Sequence, residues 1–210
     1  MDLLTDGPED AATTIVLAHG AGAGMDSPPM QALADSLAAR GLRVVRFEFP
    51  YMQRRRKTGK RAGPDRLPVL MDTWRAAIDA QDAGRVIIGG KSMGGRIASM
   101  IADEARVTGL VCLGYPFHPP GKPEKLRTEH LAGLETPTLI VQGTRDPFGR
   151  PEEVDGFRLS DAIRFAWLED GDHSFRPRKS SGRTEQQNIA EAVDAICDFV
   201  KRLEHEASSR

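Results

Sequence analysis

The stretch Val86-Ile87-Ile88-Gly89-Gly90-Lys91-Ser92-Met93-Gly94-Gly95 decides how this chain is read. A β-branched run enters a glycine turn, a serine stands at its tip, and a helical pattern follows through Ile97 and Ile101. This is the G-x-S-x-G pattern of a nucleophile elbow, with Gly90, Ser92 and Gly94 in its fixed places. Such a turn strains the serine backbone so that Oγ projects above the end of a sheet. Side chains two residues to either side would run into neighbouring backbone, so glycine is required there. Gly90-Lys91-Ser92 also looks like the end of a phosphate-binding P-loop. That motif needs a glycine five positions before its second glycine, where this chain has Arg85 and a strand.

Outward from the elbow, strand and helix patterns alternate. Strands are expected at Thr14–Ala18, Leu42–Phe49, Arg85–Ile88, Thr108–Leu113, Thr138–Val141 and Ile163–Leu168. Helices are expected from Pro28 to Gly41, Pro68 to Gln81, Gly95 to Ala105, Glu124 to Leu134 and Thr184 to Leu203. The closing helix opens with Thr184 and Gln187 in capping-box spacing and carries the stripe Ile189, Val193, Ile196, Val200. Apolar β-branched runs between helices mean strands buried on both faces. The fold class is therefore α/β, a mainly parallel sheet of about six strands with helices on both faces. The segment from Tyr51 to Pro64 reads as irregular.

The chain has 210 residues, which suits a single domain over 1–210. A net charge of -1 gives no global field toward nucleic acid or an anionic membrane. The acidic start Met1-Asp2-Leu3-Leu4-Thr5-Asp6 shows no secretory signal, and no apolar stretch approaches membrane-spanning length. A cytoplasmic location is expected. Cys112 and Cys197 sit in apolar patterns and read as core residues rather than as a disulfide. No metal-ligand spacing is present, and no cofactor is expected.

A serine nucleophile needs a base, and the base needs an orienting acid. In sheets of this kind the chain order is Ser, then Asp or Glu, then His. The run Leu139-Ile140-Val141-Gln142-Gly143-Thr144-Arg145-Asp146 is a strand leading to Asp146. Phe165-Ala166-Trp167-Leu168-Glu169-Asp170-Gly171-Asp172-His173 is a strand leading to His173. Both residues fall on the same rim as Ser92, so His173 is the candidate base and Asp146 its orienting acid. Asp170 and Asp172 are competing acids, but they lie close to His173 in sequence for bracing it from the far side.

The first expected strand ends in His19-Gly20-Ala21-Gly22-Ala23-Gly24. Its small residues let backbone N–H groups face a ligand. The candidate oxyanion hole pairs the N–H of Met93 with that of Ala21 or Gly22. A dinucleotide fingerprint competes at Gly22-x-Gly24-x-x-Ser27 with Glu48, but its third glycine is missing. His19, Met25 and His118 are candidate pocket residues. His118 precedes Asp146, the wrong order for a triad base. Arg54, Arg55, Arg56 and Lys57 have two readings: a solvated loop, or a site for an anionic part of the substrate. His130 and His205 read as solvated.

From about Thr14 to Leu203 the chain resembles the α/β-hydrolase superfamily. In detail it is similar to a small capless, dienelactone-hydrolase-like group that includes testis-expressed hydrolase homologues. The resemblance rests on Leu17-Ala18-His19-Gly20-Ala21-Gly22, Gly89-Gly90-Lys91-Ser92-Met93-Gly94-Gly95-Arg96, Gly143-Thr144-Arg145-Asp146 and Gly171-Asp172-His173. It implies a cofactor-independent serine hydrolase acting on a small-molecule ester or thioester, with Ser92, Asp146 and His173 as nucleophile, acid and base. The other reading is a non-catalytic scaffold that keeps the fold. Only a short polar segment precedes Thr14, and Gly114 to Pro137 is short for a cap, so a shallow, open pocket is expected.

Overall fold

The structure is a computed structural model and describes residues 1–81 and 84–209. The strands are β1 (Leu3–Asp6), β2 (Thr13–Ala18), β3 (Arg43–Phe47), β4 (Arg85–Lys91), β5 (Gly109–Leu113), β6 (Thr138–Gly143) and β7 (Ile163–Leu168). They form one sheet in the order β1-β3-β2-β4-β5-β6-β7. Strands β2 to β7 are the six parallel strands expected from the apolar runs. The seventh, β1, pairs antiparallel with β3, from Leu3 opposite Phe47 to Asp6 opposite Val44. Four residues with one apolar pair carry too little periodicity to be read as a strand. Its end is pinned by Arg46, whose Nη2 donates to Asp6 Oδ2 at 2.7 Å.

The helices are α1 (Pro28–Ala38), α2 (Pro50–Thr58), α3 (Leu67–Asp79), α4 (Met93–Ser99), α5 (Ala102–Ala105), α6 (Pro151–Val154) and α7 (Glu185–Ser208). Side chains alternate across the sheet with the two-residue period of a strand. Ile15, Leu17, Ile87, Val111 and Leu113 face α1 and α7, while Val16, Ala18, Ile88, Leu110 and Cys112 face the opposite layer with α3 and α4. Cys112 and Cys197 are free thiols in different layers. The α7 capping box forms as expected: Gln187 N–H donates to Thr184 Oγ1 at 3.2 Å, and Thr184 N–H donates to Gln187 Oε1 at 2.8 Å.

Three expected elements differ. The segment from Tyr51 to Pro64 is not an irregular loop, since its first part is α2. Pro50 starts this helix and Gly59, at φ +67°, ends it in a left-handed cap. Its arginine-rich middle hides those end signals from any apolar periodicity. The elbow helix breaks after Ser99 and resumes as α5, with Ile97 and Ile101 both buried. Only a short 3₁₀ turn at Glu129–Gly133 replaces the helix expected from Glu124. There the Arg127 N–H donates to Phe117 O at 2.8 Å, outside any helix. Tyr115, Phe117, Leu131 and Leu134 anchor this stretch in the core, while Gly121 to Leu126 lie exposed at the surface. Among the described residues no helix is long and apolar enough to cross a membrane.

Trp74 joins the core to the elbow. It is fully buried, its ring meets Phe47 edge-on at 4.7 Å, and its Nε1–H donates to Gly94 O at 3.2 Å. Trp74→Ala should cost about 3–5 kcal/mol, from the cavity and the lost hydrogen bond. Chemical denaturation measures this. A cost below about 1 kcal/mol would mean that the site collapses around the smaller side chain.

Candidate active site

The elbow is built by the strands on either side of it. Ser92 sits at φ 51°, ψ −113°, a positive-φ conformation that few non-glycine residues adopt. Its N–H donates to Leu113 O on β5 at 2.9 Å. A Cβ at Gly90, where φ is +151°, would lie 2.2 Å from Ala18 O, and one at Gly94 would lie 2.6 Å from the same oxygen. The packing of β2 against the turn is therefore what demands both glycines. Met93 is the first residue of α4, and the N–H of a first helical residue has no acceptor within its own helix.

Asp146 lies in the turn after β6 and His173 in the loop after β7. The Asp146 side chain is 0% exposed and that of His173 24% exposed. A carboxylate accepts only, so His173 Nδ1–H donates to Asp146 Oδ2, at 2.7 Å. Gln142 Nε2 donates to the same oxygen at 3.0 Å, and the Phe148 N–H donates to Oδ1 at 2.9 Å. These donors compensate the buried charge. The Phe148 ring covers the imidazole, with centroids 4.3 Å apart. Nδ1 is thus occupied, which leaves Nε2 as the nitrogen free to exchange a proton.

The competing acids have other partners. Asp170 receives Arg178 through Nε at 2.8 Å, Nη2 at 2.5 Å and its backbone N–H at 2.6 Å. Arg178 holds the Asp170 carboxyl below its usual range. Asp172 Oδ1 caps its own turn, accepting from the N–H groups of Ser174 and Arg176.

The loop after β2 is braced rather than free. His19 Nδ1–H donates to Gly20 O at 2.7 Å, while Nε2 accepts from Phe49 N–H at 3.2 Å. The ring is buried, and burial pushes its pKa down. Tyr51 Oη donates toward Gly20 O and Ala21 O at 3.3 and 3.2 Å. Arg55 Nη1 donates to Gly22 O at 3.1 Å. Arg56 pairs with Asp26 at 2.7 Å and Glu48 at 2.5 Å, and Arg54 pairs with Asp65. Glu48 Oε1 also accepts from Met25 N–H at 3.3 Å.

Ser92, His173, Ala21 and Gly22 all line a cavity of about 390 Å³ that runs in between α1 and α7. Its walls include Met30, Leu33, Leu113, Phe175 and Ile189. Lys91 also lines it. Lys91 Nζ donates to His173 O at 2.5 Å, and burial pushes its pKa down to about 8, against the opposing pull of Asp146 and Asp172.

The other expected pocket residues stand elsewhere. His19 and Met25 are buried behind the loop, and neither lines the cavity. His118 is buried too. Its Nδ1–H donates to Pro119 O at 2.9 Å and its backbone N–H to Phe148 O at 3.3 Å, so it supports the Asp146 turn. The charges of Arg54 and Arg56 are engaged by carboxylates of the fold, and Arg55 holds a loop carbonyl. This weakens the reading of these three as a substrate-anion site. His130 is not solvated as expected: its Nε2 meets Ser99 Oγ at 2.8 Å, and burial lowers its pKa. Among the described residues no cluster of three or more His, Cys, Asp or Glu could hold a metal ion.

Gln142, Tyr51, Phe175 and Lys91 were not picked out from sequence. Gln142 was hidden inside a strand run. Lys91 stood in the elbow motif itself, where its only apparent meaning was the P-loop.

A family profile described as an alpha/beta hydrolase domain matches residues 11–201. Among solved structures, the chain is similar to an a/b serine hydrolase without lid from Xanthomonas campestris. That pair shares 21% identity and a TM-score of 0.70, covering 96% of this chain and 88% of the other. An alpha-beta serine hydrolase homologue from Coxiella burnetii shares 22% identity at a TM-score of 0.66, covering 91% and 90%. A dienelactone hydrolase from Anabaena variabilis shares 20% identity at a TM-score of 0.68, covering 91% and 88%.

Proposed function

The chain belongs to the alpha/beta hydrolase family, and from that premise we propose that it is a cofactor-independent serine hydrolase that cleaves esters or thioesters through an acyl-enzyme. The observation that carries this reading is the 2.7 Å contact from His173 Nδ1 to the buried Asp146, with His173 sharing the cavity of an elbow serine.

In this reading His173 Nε2 takes the proton of Ser92 Oγ as the oxygen attacks the carbonyl carbon. Asp146 stabilises the imidazolium and fixes the tautomer that leaves Nε2 able to accept. The tetrahedral oxyanion accepts hydrogen bonds from Met93 N–H and from Ala21 or Gly22 N–H. His173 then returns its proton to the departing alcohol or thiol, and the C–O or C–S bond breaks. Water, activated by the same nitrogen, releases the acid and regenerates Ser92. The bracing of residues 20–22 by His19, Tyr51 and Arg55 supports a preorganised oxyanion site, because donors fixed before reaction cost no reorganisation during it.

The test is covalent labelling by an organophosphonate, with the labelled peptide identified by mass spectrometry. The expected result is one adduct, on Ser92, together with hydrolysis of para-nitrophenyl esters. An unlabelled protein inert to activated esters would favour a non-catalytic scaffold.

A further inference from the structure

Resting on the hydrolase reading above, we infer that the cavity beside Ser92 selects acyl groups ending in a carboxylate, so that monoesters or monothioesters of short dicarboxylic acids are preferred substrates. The cavity has a largely apolar body and two cations, of which Arg176 is paired with Glu185 while Lys91 is not. Along β4 the side chains alternate, so Lys91 lies on the same face as Ile87, the face covered by α1 and α7. It stands beside Leu113 in the wall, with its Nζ 5.5 Å from the centre of the Phe175 ring.

An ammonium has three donors. One goes to His173 O, and among the described residues no carboxylate forms an ion pair with Lys91. A desolvated charge without a counter-charge is unfavourable, and an entering carboxylate would supply one. Other charges at the cavity do not substitute. Glu185 is paired with Arg176 at 3.2 Å on the exposed rim. Asp146 lies behind His173 with its own donors, and Asp172 is taken up by two backbone N–H groups. The volume of about 390 Å³ lies in the range of small-ligand sites. The methylene stem of a dicarboxylate would pack on Met30, Leu33 and Ile189, and its far carboxylate would reach Lys91. Hydrolysis breaks the bond between the acyl carbon and the leaving oxygen or sulfur. Water supplies the hydroxyl of the new acid and the proton of the leaving group, and the acid then ionises.

The experiment compares two para-nitrophenyl esters at neutral pH, with spontaneous hydrolysis subtracted. One is the monoester of adipic acid. The other is the ester of the branched acid in which an isopropyl group replaces the far carboxylate. The wild-type protein should favour the adipate monoester by about tenfold or more in kcat/KM, mainly through KM. Lys91→Met should erase that ratio and Lys91→Arg should keep part of it. Equal kcat/KM for the two esters in the wild type overturns the inference, and this comparison stands even if Lys91→Met does not fold. Loss of the same factor for both esters in Lys91→Met also overturns it, because Lys91 would then only brace His173. Either result leaves the hydrolase reading intact. That reading fails separately, if neither ester is cleaved and Ser92 takes no phosphonate label.

Discussion

Ser92→Ala is expected to lower kcat for an activated ester by about a millionfold, nearly to the background set by binding and the oxyanion donors alone. The substitution removes one oxygen. Among the described residues Ser92 Oγ makes no hydrogen bond that holds the elbow together, and the anchor of the turn is the backbone bond to Leu113 O at 2.9 Å. Alanine and serine bear similar strain at φ 51°, so the stability change should stay within about 0.5 kcal/mol. The experiment pairs steady-state kinetics with a denaturation curve. A folded variant that keeps more than about a tenth of the wild-type rate would move the nucleophile away from Ser92.

Much of this arrangement is legible in the sequence, for a physical reason. In a parallel sheet buried on both faces, each strand is a continuous apolar run, and the functional residues follow immediately after such runs. Ser92, Asp146 and His173 each obey that rule, so their order and rim could be read without coordinates. The glycines flanking Ser92 were legible because backbone contact with Ala18 leaves no room for a side chain. The edge strand β1 was not legible, since four residues cannot show a period. Neither was α2, where RRRK suggested a charged loop. Arginines reveal their purpose only when their partners are known, and Asp26, Glu48, Asp65 and Gly22 O lie up to 33 residues away in connecting segments outside α2. Gln142 is the clearest case. Inside a strand run a glutamine carries no pattern, yet its side chain accepts from Tyr115 N–H at 2.7 Å and donates to Tyr115 O, Gly149 O and Asp146.

That glutamine makes the second large effect specific. Asp146→Asn should reduce kcat by about 10⁴-fold with a small change in KM. An asparagine must present an NH₂ where the carboxylate has only acceptors. If the NH₂ faces His173, it also meets the Gln142 Nε2, which is held by its own bonds to Tyr115 O and Gly149 O at 3.2 Å each. The ring must then accept at Nδ1 and carry its proton on Nε2, where it cannot take one from Ser92. If the NH₂ faces the other way, it opposes Phe148 N–H, which donates at 2.9 Å in the wild type. The tautomer survives there, but the negative charge that stabilises the imidazolium is gone. Both arrangements leave a donor unpaired beside a fully buried residue, so stability should also fall by about 1–3 kcal/mol. Nitrogen NMR of the His173 ring separates the two, because the first puts the proton on Nε2 and the second leaves it on Nδ1. A variant retaining more than about a tenth of the wild-type kcat would reduce Asp146 to a loop anchor and reopen the assignment of the acid.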